Sequence, residues 1–143
     1  MRNSDCGLNA MTPTEMKERT RSLALRIIRL VESLPSSRTA DVIGKQLLRC
    51  GTSVGANYRA ACRARSRADF VAKMGIVEEE ADEIVYWIEL LVDCDLLKQG
   101  LVDKLLAETN EIIAMVVSSI RTTRSNGHRR TSKSAIRIPQ SAI

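Results

Sequence analysis

The densest run of groups capable of chemistry is acidic: Glu78, Glu79, Glu80, Asp82 and Glu83. Neighbouring carboxylates can pass protons or hold a divalent cation, provided that they converge on one point. Successive residues of a helix instead diverge around its axis, so this run reads first as a solvated surface. The one histidine, His128, stands in a stretch expected to lie outside the folded body, where it cannot serve a Ser-His or Cys-His pair. Di-metal bundles of the ferritin type use Glu-x-x-His, which is absent here. Cys6, Cys50, Cys62 and Cys94 are scattered, with no C-x-x-C pair and no neighbouring His, and read as free thiols rather than zinc ligands. These residues predict no enzyme, no metal, no cofactor and no small-molecule substrate.

The basic residues are better organised. From Arg38 to Arg67 the basic residues Arg38, Lys45, Arg49, Arg59, Arg63, Arg65 and Arg67 face Asp41 alone. After Glu111 there is no acid, while Arg121, Arg124, Arg129, Arg130, Lys133 and Arg137 follow; without those six the net charge of +5 becomes about −1. Lys45, Arg49, Arg59, Arg63, Arg65, Arg67, Arg129, Arg130 and Lys133 are the candidate contacts to a phosphate backbone, which would bind RNA or DNA in a salt-sensitive, sequence-tolerant way. Aromatic residues make up only 3%, too few for stacking readout of single strands. From Asp69 to Asp95 the bias reverses, with nine acids against Lys73. Two readings of this segregation stay open: neighbouring helices carrying complementary solvated charges, or a basic face of one subunit meeting an acidic face of another, or a polyanion.

The elements that carry these residues are helices. Composition is 44% apolar and 27% charged, suited to one globular domain of this length. Thr12-Pro13-Thr14-Glu15 is a capping box, and Met16, Thr20, Leu23, Ile27, Leu30 and Leu34 then recur in steps of four and three until Pro35. A second helix, about 39–64, has the seam Ile43, Leu47, Cys50, Val54, Asn57 and Ala61. A third opens at the Ser66-x-x-Asp69 cap and keeps its step through Phe70, Met74, Val77, Ala81, Ile84, Ile88 and Leu91. Gly100 marks a turn, and a fourth helix runs from about Val102 to Arg121 on Val102, Leu105, Leu106, Ile112, Ile113, Val116 and Ile120. The expected fold is all-α: an antiparallel up-down-up-down four-helix bundle over 12–121, after an extension at 1–11 and before a basic, disordered tail at 122–143. No leader or membrane-spanning run is apparent, so the cytoplasm is the expected compartment and no membrane partner is expected.

Two segments look suited to close packing or assembly. Gly51 and Gly55, one turn apart, each cost about 1 kcal/mol in a helix interior, and close approach of another helix is the best compensation. A phosphate loop would need a Lys after Gly55. Asn57 on the seam is expected to satisfy a buried hydrogen bond or set packing register. Residues 85–92, VYWIELLV, are apolar almost all round, so Trp87 and Leu90 are expected to meet another copy. Gly51, Ser53, Gly55, Asn57, Tyr58, Tyr86, Trp87 and Leu90 are thus the candidate packing and assembly residues.

The run Ile43-Gly44-Lys45-Gln46-Leu47-Leu48-Arg49, the GTSVGANY of 51–58 and the following Arg59-Ala60-Ala61 resemble the signature of the bacterial four-helix-bundle family encoded in intervening sequences of 23S ribosomal RNA genes. Arg65-Ser66-Arg67-Ala68-Asp69-Phe70, Glu80-Ala81-Asp82-Glu83, Tyr86-Trp87-Ile88-Glu89-Leu90-Leu91 and Ser118-Ser119-Ile120-Arg121 extend the resemblance over about 14–124. That family is similar to the accessory protein of diversity-generating retroelements, a pentameric ring that binds reverse transcriptase and nucleic acid. The resemblance implies a cyclic homo-oligomer, a pentamer, without enzymatic activity, whose partners are its own copies and RNA, DNA or a reverse-transcriptase-like protein. Residues 1–10 and those after Arg124 lie outside the pattern.

Overall fold

The computed structural model describes residues 11–135. They form α1 (Pro13–Glu32), α2 (Arg38–Cys62), α3 (Arg67–Asp93) and α4 (Gln99–Ala135), with no strand among the described residues. Residues 1–10 of the expected extension at 1–11, and 136–143 of the expected tail at 122–143, lie outside the described residues.

The helix starts follow from local chemistry. Thr12 Oγ1 accepts the N–H of Glu15 at 3.2 Å while the Glu15 carboxylate accepts the N–H of Thr12 at 2.8 Å, the reciprocal box that satisfies two otherwise orphaned donors. Ser37 caps α2 by accepting the N–H of Ala40, and Ser66 caps α3 by accepting that of Asp69. Asp69 completes that start differently, taking the N–H of Arg65 and the ammonium of Lys73. The turn after α3 differs from expectation. Gly100 lies inside the first turn of α4, and Asp95 adopts the left-handed conformation at φ 59°. A short polar side chain tolerates that region better than most.

Buried faces follow the four-three step. Met74, Val77, Ala81, Ile84, Ile88 and Leu91 of α3 are all buried, with Phe70 half-buried at its start. On α2, Tyr58 rather than Asn57 takes the core position between Val54 and Ala61. The ring buries more apolar area than an amide, while Asn57, half-buried, donates its side-chain N–H to the Ser53 carbonyl at 2.9 Å. Thr20 and Thr109 are buried too; their hydroxyls donate to Met16 and Leu105 carbonyls one turn back.

Each helix packs on the next, and α1 meets α4, which closes a four-helix bundle. Small residues set the α1–α2 contact. A Cβ built on Gly51 would lie 2.7 Å from Cδ1 and 2.8 Å from Cγ2 of Ile27; on Gly44 it would lie 3.2 Å from Val31, and on Gly55, 3.2 Å from Thr20. Numbers rise along α1 as they fall along α2, so these two helices are antiparallel. An ion pair holds α1 to α4: Arg19 donates to both oxygens of Glu108, at 2.7 and 2.8 Å, and reaches Glu111 at 3.0 Å.

The fourth helix corrects the sequence reading. It continues through Arg121 to Ala135 instead of giving way to a tail. Polar Ser and Thr lower helix propensity, but no proline intervenes before Pro139, and cations near a helix C-terminus complement its dipole.

Candidate nucleic-acid and assembly surfaces

Lys45, Arg49, Arg59 and Arg63 project from one outward stripe of α2, with small Thr52 and Ala56 between them, and all six are exposed. At 1.5 Å per residue the stripe extends about 27 Å. Its members differ in what surrounds them. Arg49 bridges to α3, pairing with Glu80 at 3.1 Å and also with Glu83. The Glu83 hydrogen bond, then the charge of Glu80, holds the Arg49 guanidinium above its ordinary pKa. Arg49 is therefore engaged within the protomer, and for this residue the reading of complementary charges on neighbouring helices holds. Among the described residues, Lys45, Arg59, Arg63 and Arg67 take part in no salt bridge.

The turn between α2 and α3 brings Arg63, Arg65 and Arg67 together, all exposed. Hydrogen bonding to Lys73, and then to the backbone of Arg65, pulls the Asp69 carboxyl below its ordinary range, so the one acid of this turn is already satisfied. Arg67 borders a shallow groove of about 400 Å³ between α3 and α4, floored by Ala68, Val71, Ala72 and Gly127 and flanked by Thr123 and Arg124. Arg129 and Arg130 are exposed on α4 beyond it, and Lys133 lies on its last turns, with a side chain outside the described part.

The packing candidates separate into two groups. Gly51 and Gly55 serve the contact with α1 inside the protomer, and buried Tyr58 belongs to the core. Burial, then a hydrogen bond with Cys62, raises the pKa of the Tyr58 phenol. Ser53 is half-buried, its hydroxyl turned back to the Cys50 carbonyl. On α3, Trp87 and Leu90 are half-buried and packed against the core. Helix α3 lies between two neighbours and presents more than one face to them, which accounts for the extra apolar positions. Tyr86 is the exposed member, at 57%, its ring set edge-on to Trp87 at 4.9 Å. The Trp87 indole N–H is buried, with no acceptor among the described residues. Glu79, Asp82, Glu89 and Asp93 are exposed around Tyr86, and Val42 and Leu101 are exposed apolar side chains on α2 and α4.

The Arg19 clamp was missed from sequence, although Glu108 and Glu111, three apart on one helix face, were its available signal. The sulfur of Met115 lies 3.6 Å from Arg19 Nη1. Pairing with Arg19 holds Glu108 below the usual carboxylate range. Burial pushes the Cys50 thiol up to about 12, which leaves it protonated. Among the described residues no three His, Cys, Asp or Glu groups converge to hold a metal, and no helix is long and apolar enough to cross a membrane.

A crystal structure of a protein of unknown function from the S23 ribosomal protein family of Bacteroides thetaiotaomicron is similar to this chain. Identity is 36% and the TM-score 0.72, with 78% of this chain and 99% of that chain covered. No curated protein matches. The family model for the 23S rRNA-intervening sequence protein matches residues 13–118, from the first residue of α1 to midway along α4. Capped helices, the glycine contact between α1 and α2 and the long α3 seam all fall within that match, and the chain belongs to the 23S rRNA-intervening sequence protein family.

Proposed function

We propose that this chain is a non-enzymatic, self-assembling protein that contacts nucleic acid, or a nucleic-acid-handling partner, through its basic surfaces. One observation carries the reading: Lys45, Arg59, Arg63 and Arg67 are exposed on α2, the turn that follows it and the first residue of α3, and no acid of the described protomer pairs with them. Uncompensated cations along about 27 Å of helix suit a phosphate backbone, whose binding releases counterions. The protomer is taken as an up-down-up-down bundle. Support comes from the α1–α2 glycine pairs, from Arg49 reaching Glu80 across the short α2–α3 turn, and from Arg67 beside Gly127. Assembly is supported by large apolar side chains left bare on three helices, Val42, Tyr86 and Leu101 at 58%, 57% and 72% exposure. Likeness to the retroelement accessory protein favours a closed ring of five copies, with RNA, DNA or a reverse-transcriptase-like protein as partner.

The competing reading is an assembly module in which the α2 cations meet the α3 acids of the next copy and no nucleic acid is bound. Replacing Arg59, Arg63 and Arg67 by Glu separates the two. We expect the native mass to stay that of a multimer while binding of labelled RNA or duplex DNA at low salt is lost. Collapse to single subunits supports the assembly module instead. A wild-type chain that is monomeric at micromolar concentration, or that shows no salt-sensitive binding, defeats the corresponding half of the proposal.

A further inference from the structure

The C-terminal stretch of α4 stands apart from the rest of the molecule. The family match ends at residue 118, and the similar Bacteroides protein is covered over 99% of its own length by 78% of this chain. Yet α4 runs on to Ala135. His128, Arg129 and Arg130 are exposed in succession. From Arg121 to Arg130 the helix reads RTTRSNGHRR, with four arginines and no acid. Arg67 of α3 adds a fifth guanidinium across the groove at Gly127, and Arg65 a sixth at the same turn.

The chemistry of this stretch selects among polyanions. A helix that lies on an anionic membrane needs a large apolar face opposite its cations, and 121–130 holds no large apolar residue. A site for single strands needs aromatic platforms for the bases. This stretch has none; Tyr58 is buried in the core and Phe70 is half-buried against it. What remains is a polar, cationic helix with Arg121, Arg124 and Arg130 exposed. Arg121 and Arg130 are about 13 Å apart along the axis by helix rise, similar to the roughly 12 Å width of the major groove of DNA. A rod of this size can reach phosphates on both sides of a groove.

Resting on the nucleic-acid reading above, we propose that the α4 extension, with Arg67 beside it, is a binding site for double-stranded nucleic acid that grips the phosphate backbone without reading sequence. The site belongs to the part of the chain beyond the family match and is separate from the α2 stripe.

The test uses the full chain, a labelled duplex two helical turns long, and a single strand of the same length. The variant Arg121→Glu, Arg124→Glu, Arg130→Glu is compared with Lys45→Glu, Arg59→Glu, after circular dichroism has shown that both retain the wild-type helicity. Duplex affinity is expected to fall roughly tenfold or more in the α4 variant, and the slope of log K against log salt to shrink by about 3. The α2 variant, which removes cations of the surface proposed above, is expected to lose less duplex affinity than the α4 variant and to shrink the salt slope by less. Arg121→Lys, Arg124→Lys, Arg130→Lys keeps the charge and should keep the affinity, which supplies a readout even if the Glu variant unfolds. Undiminished duplex binding by the α4 variant, with loss in the α2 variant, overturns the inference and leaves the general reading standing. Tighter binding of the single strand, or pelleting with phosphatidylserine vesicles while duplex stays unbound, also overturns it. Absence of any nucleic-acid binding by the wild-type chain removes both.

Discussion

Replacing Gly51 by Ala tests whether α1 and α2 are held together by the absence of a side chain. The same substitution at Gly75 provides the reference, because both glycines lie inside helices but a Cβ at Gly75 meets nothing within 4 Å. Ala for Gly in a helix interior gains about 1 kcal/mol from backbone propensity, and this gain is common to both sites. At Gly51 the new methyl would sit 2.7 Å from Cδ1, 2.8 Å from Cγ2 and 3.2 Å from Cβ of Ile27. Turning χ1 cannot clear all three atoms, and a β-branched side chain in a helix has one strongly preferred rotamer. Ile27 is fully buried, so it has no open space to move into. Overpacking of this kind costs about 1–3 kcal/mol. The two variants should therefore differ by about that amount, Gly75→Ala being more stable than wild type and Gly51→Ala no more stable, or less. Urea unfolding followed by circular dichroism, at one fixed protomer concentration, measures the difference. Cutting Ile27 to Ala supplies the control. It costs roughly 2–5 kcal/mol alone, but in that background Gly51→Ala should recover the propensity gain and become stabilising by up to about 1 kcal/mol. If Gly51→Ala gains as much as Gly75→Ala in the wild-type background, the glycine contact is not what sets the α1–α2 distance.

Two further outcomes follow from the interior. Arg19→Ala should destabilise by roughly 1–2 kcal/mol, between an exposed pair and a fully buried one, because Glu108 loses both of its hydrogen bonds from Arg19. Glu108 has a folded pKa below its ordinary value, so its contribution is present above about pH 4.5 and lost as pH falls through the folded pKa; urea midpoints at pH 6 and pH 4 should differ less in Arg19→Ala than in wild type, and an equal acid limb contradicts the pairing. Cys50, buried with its thiol pushed up to about 12, should resist iodoacetamide at pH 8 in the native protein and react on unfolding. Peptide mapping that finds Cys50 alkylated as fast as exposed Cys62 and Cys94 rules out this burial.

What was legible in the sequence was whatever one helix determines alone. The Thr12–Glu15 box, the Ser66 cap and the α3 seam depend on spacings of three and four, and each lies where those spacings put it. The errors arise where two elements compete for a position. Asn57 and Tyr58 both continue a four-three step, and the neighbouring helices bury the residue that loses more contact with water. Trp87, expected from its own helix to meet another copy, also packs against the core of its own protomer, which the single helix could not show. The left-handed residue of the turn after α3 is Asp95, and Gly100, read as marking the turn, lies inside α4. Arg49 looked like its neighbours on the α2 stripe, and only the pairing with α3 distinguishes it.

The end of α4 was hidden for a different reason. Hydrophobic periodicity detects helices that are packed, and from Arg121 to Ala135 the sequence holds no large apolar residue, so the periodic signal stops while the helix does not. That distinction matters for the charge. If copies assemble by bringing the α2 cations of one against the α3 acids of the next, the two stripes neutralise each other and contribute little to any outside partner. The surplus behind the net +5 lies after residue 120, and five of its six cations fall within α4, whose sequence from Arg121 to Ala135 contains no acid. Assembly and nucleic-acid binding would then draw on different residues. The more completely the stripes are consumed between subunits, the more any remaining affinity for nucleic acid must reside in the α4 extension.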